Sequence, residues 1–158
     1  MIFTSIDFIV FFVFVLAAVA IIKHRKFQHL ILIGGSYYFF YFSSNYLIVL
    51  LIFSTILDFY LAKIIHDTKD AFRKKLLLTI SLAGNLGLLG FFKYSDFAIL
   101  QFNILGNYFD LSTEIPLFNL VLPLGISFYT FQTLSYTIDV YRGTLKPSKT
   151  LSEFALFV

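Results

Sequence analysis

Asp58 is the acidic residue best placed to do chemistry, because it stands inside a long apolar stretch of the sequence. An ionisable side chain within such a stretch is a functional candidate by default, since burying a charge there is costly. It also lies about two helical turns before a basic segment. Asp58 is therefore either a possible intramembrane polar site or a structural residue that approaches that end or pairs with a basic side chain.

A second set of polar residues repeats along one face of a predicted helix. Residues three or four apart share a helical face, so this spacing forms one stripe. Asp139 and Arg142 are close enough to pair near the helix end. We expect either a structural ion pair that closes the helix or the wall of a cavity or tunnel. After Phe128, the residues of this stripe are Gln132, Ser135, Asp139 and Arg142.

The histidines offer little chemistry, because His24, His29 and His66 stand in or beside basic segments. They form no spacing typical of a metal site and no Ser-His-acid set. The sequence contains no cysteine, which excludes a thiolate nucleophile. We therefore predict no catalytic residue within these 158 residues, no metal and no bound cofactor.

The composition indicates a protein whose solvent is a lipid bilayer. Of the 158 residues, 59% are hydrophobic and 13% are charged, whereas soluble domains carry about 25% charged residues. Uncharged runs of 15, 31, 17 and 24 residues separate the charges, and a helix that crosses the hydrocarbon needs about 20 apolar residues. The charged residues, whose sum is +3, lie between these runs. We therefore expect membrane lipids as partners and no nucleic acid.

The predicted fold class is all-α, a polytopic membrane helix bundle of about five transmembrane helices plus one interfacial helix. The interfacial helix is expected between Asp96 and Asp110, where apolar and amide residues mix over a length too short to span. The predicted spans are 5–22, 27–42, 46–65, 76–92 and 117–141, with the interfacial helix at 97–109.

The distribution of basic residues supports this span count. With five spans and the N-terminus outside, the cytoplasmic stretches are 23–26, 63–75 and 142–149, and they contain 11 of the 12 Lys and Arg residues. Cytoplasmic loops are enriched in Lys and Arg. The sequence therefore predicts a multi-pass protein of the plasma (inner) membrane with its N-terminus outside.

The end of the sequence predicts the start of another helix. Thr150 and Glu153 have the spacing of a capping box, and an apolar run follows and stops at Val158. So short a helix cannot span or pack alone. We expect the chain to be truncated at its C-terminus, in the middle of an element.

Two stretches resemble a known family. Leu122–Gln132 (LPLGISFYTFQ) with Asp139–Gly143 (DVYRG), and Asn85–Tyr94 (NLGLLGFFKY), look like segments of the membrane-bound O-acyltransferase (MBOAT) family. The first is most similar to the alginate O-acetyltransferase type. The resemblance covers essentially the whole chain and identifies residues 1–158 as the N-terminal part of one MBOAT membrane domain.

The resemblance implies an enzyme that transfers an acyl group, usually acetyl, from acetyl-CoA or an acyl carrier towards an extracytoplasmic polysaccharide. It also implies an extracytoplasmic acetyltransferase partner and contacts with the rest of the same polypeptide. The family's catalytic histidine would lie beyond Val158, so this portion is expected to be inactive alone. Two alternatives stay open: D-alanyl transfer to teichoic acid by the same superfamily, and a non-enzymatic transporter or scaffold subunit.

Overall fold

The computed structural model describes residues 5–109 and 114–158, and all of its regular structure there is helical. This confirms the predicted all-α class. Asp110, the predicted end of the interfacial segment, lies outside the described residues. The helices are α1 (Ile6–Ile21), α2 (Arg25–Ser44), α3 (Ile48–Asp67), α4 (Ala71–Tyr108), α5 (Ile126–Arg142) and α6 (Leu151–Phe157).

The first three helices lie within two residues of the bounds that the charge gaps predict. A short 3-10 turn, Asn45–Leu47, joins α2 to α3. Asn45 adopts a positive φ of 53°, which asparagine tolerates better than most residues. The stretch Arg25–Asp67 and the helix Ala71–Tyr108 are long and apolar enough to cross a membrane, and α1 is a shorter apolar helix.

Helix α4 differs from the prediction, because a span at 76–92 and a separate interfacial helix at 97–109 were expected. The structure instead has one continuous helix of 38 residues, about 57 Å long at 1.5 Å per residue. The charged and polar residues at 93–96 interrupt the apolar run, yet they include no proline or glycine that would break the backbone. Charge was therefore a poor marker of a helix end here.

The extended segment after residue 113 runs back along α4 and is held by two polar side chains of that helix. The Asn103 amide donates to the Ile115 carbonyl at 2.8 Å and accepts from the Ile115 N–H at 2.9 Å. The Asp96 carboxylate accepts from the Phe118 N–H at 2.8 Å. These bonds satisfy backbone groups that an extended segment leaves unpaired.

Helix α5 begins at Ile126 and not near residue 117 as predicted. The residues directly before it form a turn: Gly125 has a positive φ of 69°, and Pro123 lacks the N–H that a continuous helix would use. The Ser44 hydroxyl accepts from the Leu124 N–H at 2.9 Å, which joins the end of α2 to the start of α5. At the other end, Gly143 is left-handed (φ 77°) and closes α5 with a Schellman motif.

Three helices form the centre of the bundle, and the other three pack around them. Helices α3, α4 and α5 contact one another, α6 packs on α2 and α3, and α1 packs on α2. The Thr150–Glu153 capping box that the sequence predicts is formed at the start of α6. One apolar cluster centres on Phe59, Tyr136 and Phe154, and a second on Phe40 and Tyr129.

Candidate functional site

Asp58 is fully buried at the junction of α3, α4 and α5. The Ser81 hydroxyl donates to its Oδ1 at 2.5 Å, and the Asn85 amide donates to both oxygens, at 3.0 Å and 2.8 Å. These donors are neutral side chains of α4, and not the basic residue that the sequence left open.

The hydrogen bonds of Asp58 extend into a network that joins two helices. The Ser54 hydroxyl donates to Asn85 Oδ1 at 2.6 Å, and the Asn85 amide also donates to the Ser81 carbonyl at 3.0 Å. Ser54, Ser81 and Asn85 are each at most 2% exposed. Because every polar atom of Asn85 is paired, the network behaves as one unit in which removal of one member leaves others unsatisfied.

Helix α5 closes this junction with threonines. Thr130, Thr133 and Thr137 are buried, and the Thr133 and Thr137 hydroxyls donate to carbonyls of their own helix at 3.0 Å and 3.1 Å. The polar face of α5 is therefore surrounded by protein, as its composition predicts. The buried face is nevertheless the threonine face and not the stripe that begins at Phe128, whose side chain is 75% exposed.

A cavity of about 680 Å³, here called the large cavity, lies between α2, α3, α5 and the end of α6. It extends towards the end of the bundle where α2 stops and α5 begins. Aromatic rings form much of its wall, and a few hydroxyl and amide groups interrupt them. Its lining includes Ser36, Tyr37, Phe40, Thr55, Tyr129 and Gln132.

Gln132 is the member of the predicted stripe that carries a polar group to the large cavity. Its Nε2 donates to the Phe157 carbonyl and so attaches the end of α6 to α5. Its Oε1 is buried and has no hydrogen-bond partner. Unpaired buried acceptors are uncommon in folded proteins, so this oxygen is available to a donor that enters the cavity.

The rest of the stripe lies elsewhere. Ser135 is exposed and its hydroxyl donates to the Gln132 carbonyl at 2.8 Å. Asp139 is half-buried, Arg142 is exposed, and neither lines the cavities described here. The described residues include no ion pair between Asp139 and Arg142; the helix is closed by backbone bonds of the Schellman turn, and Arg142 is exposed.

A second, smaller cavity of about 310 Å³ lies between α2, α3 and α6. It is displaced towards the start of α6, where Leu151 and Ser152 line it. Tyr37, Thr55 and Ala155 line both cavities. The large and small cavities are thus neighbours separated by one layer of side chains.

The histidines lie outside both cavities. His24 and His66 are exposed and His29 is half-buried. Among residues 5–109 and 114–158, no group of three or more His, Asp or Glu side chains could hold a metal ion.

Sequence reasoning missed the partners of Asp58. Ser54 precedes Asp58 by four residues and Ser81 precedes Asn85 by four, so each pair shares one helical face. Polar residues at this spacing within apolar runs were the signal that could have found the network. Ser36 and Tyr37 of the large cavity carried no comparable signal, because they stand in an aromatic cluster typical of interface anchors.

Proteins with established names show similarity to about half of the chain. A peptidoglycan O-acetyltransferase of Helicobacter pylori is 37% identical over 89 residues, which are 56% of this chain and 16% of that protein. Proteins named probable alginate O-acetylase AlgI are 42% identical in Pseudomonas putida and 41% identical in Pseudomonas aeruginosa, each over 81 residues. Those matches cover 51% of this chain and 16% and 15% of the relatives.

These relatives confirm the resemblance to the alginate O-acetyltransferase type of the MBOAT family. The matched segment spans only about one sixth of the length of the relatives. No protein-family model matches the sequence, and no solved structure shows significant similarity to it. The two apolar stretches long enough to cross a membrane, together with these O-acetyltransferase relatives, indicate a membrane protein.

Proposed function

We propose that this chain forms part of the membrane body of an O-acetyltransferase that modifies an extracytoplasmic polysaccharide. The observation that carries the proposal is the 37–42% identity to proteins named for O-acetyl transfer to peptidoglycan or alginate. The large cavity supports it, because an acyl-transfer enzyme in a membrane needs a protected space among its helices. The junction around Asp58 supplies the rigid frame beside that space.

The reaction proposed for the whole enzyme is attack of a hydroxyl oxygen on the carbonyl carbon of a thioester. A C–O ester bond forms, the C–S bond breaks, the proton passes to a base, and the thiol leaves. We propose that the base is a histidine beyond Val158, and that the donor is acetyl-CoA or an acyl carrier. The residues of this chain bind and position; none of them is assigned a catalytic role.

We also propose a multi-pass topology with the N-terminus outside and the basic loops in the cytoplasm. The concentration of 11 of the 12 basic residues in three stretches supports it. Cysteines introduced at Tyr46, which is 70% exposed in the turn between α2 and α3, and at Lys149, which is exposed before α6, would report the side of each loop, since these 158 residues contain no cysteine. Labelling from opposite faces is expected, and labelling of both from the same face would refute the topology.

The partners proposed for the whole enzyme follow from the same resemblance. They are membrane lipids, the rest of the polypeptide, a polysaccharide acceptor and an extracytoplasmic acetyltransferase that completes transfer to the sugar hydroxyl. Co-purification of a periplasmic or extracellular protein with the full-length chain from gently solubilised membranes would support the last of these.

Ester-linked acetate on the cell-envelope polysaccharide is the direct test. Deleting the gene should abolish alkali-labile acetate on the polymer, and a plasmid copy should restore it. Loss of ester-linked D-alanine from teichoic acid, with acetate unchanged, would replace the proposal with the D-alanyl alternative. No change in any polymer ester would leave only a transport or scaffold role.

A further inference from the structure

The large and small cavities are separated by three side chains from three helices. Tyr37 comes from α2, Thr55 from α3 and Ala155 from α6, and each of them lines both cavities. The large cavity continues from them along Phe128 and Leu124 towards the start of α5, whereas the small cavity continues along Ile33 and Leu151 towards the start of α6. These three side chains thus form the boundary that the two cavities share.

Tyr37 is the largest of these three side chains, and it shares the layer with Thr55 of α3. Thr55 is fixed, because it is 2% exposed and its hydroxyl donates to the Leu51 carbonyl at 2.7 Å. A half-buried phenol from α2 therefore lies beside a fixed side chain of α3.

The helices around Tyr37 leave room for such a partition. Helix α2 reaches α3 mainly near their connecting turn and reaches α6 further along, so the gap between them is bridged by side chains more than by close helix packing. Ala155 contributes only a methyl group on the third side. Of the three shared side chains, Tyr37 therefore fills the most space between the two cavities.

We propose that Tyr37 is a specificity-determining residue that restricts the acyl group accepted in the large cavity to a short chain. This rests on the proposed acyltransferase function. With Tyr37 in place, an acyl chain that reaches the layer ends there. When the ring is removed, the small cavity joins the large one, and a longer chain enters a space lined by Ile33, Ile52 and Ile56.

Chain-length selectivity in the full-length protein tests the proposal. Membranes would be assayed with acetyl-CoA and hexanoyl-CoA, and the ratio of the two kcat/KM values compared among variants. Tyr37→Ala should raise the hexanoyl-to-acetyl ratio by about tenfold or more, since single methylenes discriminate by such factors in fitted pockets. Tyr37→Phe keeps the ring, so its ratio should stay within about twofold of the original.

The matched control is Tyr41→Ala, one turn further along α2, where the side chain is 52% exposed and lines neither cavity. It should leave the ratio unchanged. If Tyr37→Ala does not accumulate as folded protein, Tyr37→Leu decides, with a smaller rise in the same direction. An unchanged ratio in the folded Tyr37 variant would overturn the proposal.

A second measurement does not depend on enzymatic activity. A cysteine at Ile52, which is half-buried and lines the small cavity, would be treated with an apolar maleimide small enough to enter the large cavity. Tyr37→Ala should speed labelling about tenfold relative to Tyr41→Ala. If labelling accelerates and no acyl transfer is detected in any variant, the partition stands and the proposed function fails. Equal labelling rates would refute the partition itself.

Discussion

Helix α3 takes part in two regions of opposite character. On one side, Ser54 and Asp58 belong to the junction with α4 and α5, where each is at most 2% exposed and fully hydrogen-bonded. On the other side, Leu51 and Thr55 line the large cavity in the gap towards α2 and α6. Ser54 and Thr55 are neighbours in the sequence, yet Ser54 belongs to the closed junction and Thr55 lines the open cavity.

The difference between the two regions lies in how their polar groups are satisfied. In the junction, Asp58 and Asn85 satisfy each other and their neighbours, which fixes the register of the helices and leaves no room for a ligand. In the gap, Gln132 Oε1 is buried without a partner and the cavities are lined by rings and aliphatic groups. The junction is thus suited to hold the structure, and the gap to receive a substrate.

The largest expected effect is on stability, from Asp58→Leu in the junction. It leaves the Ser81 and Asn85 donors buried and unsatisfied, at about 1–3 kcal/mol each. We expect the free energy of unfolding to fall by about 2–5 kcal/mol, measured by thermal or denaturant unfolding of the purified protein in detergent. Thr55→Val is the control on the other side of α3 and should change it by less than about 1.5 kcal/mol. Equal losses in both variants would contradict the contrast between the regions.

A smaller loss is expected from Gly84→Val in α4. A Cβ at this position would meet Leu57 Cδ2 at 3.2 Å, so the Leu57 side chain must move to admit valine. Overpacking of this kind destabilises by about 1–3 kcal/mol. Gly87→Ala is the control, because nothing lies within 4 Å of its Cβ, and helix propensity should make it neutral or stabilising by up to about 1 kcal/mol. If Gly87→Ala were destabilised and Gly84→Val were neutral, the close contact between α3 and α4 would not lie at Gly84.

The smallest effect is expected in the gap, from Gln132→Leu. It removes the hydrogen bond to the Phe157 carbonyl and should lower stability by about 1 kcal/mol. The consequence should be local, because this bond attaches the end of α6 to α5. Hydrogen exchange should become faster in α6 and stay unchanged in α3 and α4. Ser135→Ala, whose hydroxyl bonds only a carbonyl of its own helix, serves as the comparison and should leave α6 protected.

Charge patterns predicted much of the fold and little of the site. The all-α class and α1, α2 and α3 follow from the uncharged runs, since apolar length is what a bilayer requires. The continuity of α4 through residues 93–96 could not be predicted, because charged side chains signal an interface without ending a helix. The late start of α5 was signalled by Pro123 and Gly125, whose backbone constraints outweighed the apolar run.

The candidate site was likewise predictable only in part. Asp58 was identified as a polar site because a lone acid in an apolar run is conspicuous, whereas its partners on α4 depend on how two distant segments align. The stripe from Phe128 to Arg142 follows helical spacing, yet only its first two members, Phe128 and Gln132, line the large cavity. Periodicity predicts a shared face, and tertiary packing decides what that face contacts.

The central claim is that acyl transfer uses the large cavity, and two Ser→Trp variants of the full-length protein test it most directly. Both serines are exposed, but Ser36 of α2 lines that cavity and Ser135 of α5 lines neither cavity. At equal amounts of folded protein in membranes, Ser36→Trp should lower the rate of acetyl transfer more than about tenfold, because the indole fills the cavity. Ser135→Trp should keep the rate within about twofold. Full activity in Ser36→Trp, with loss of activity in Ser135→Trp, would contradict the account.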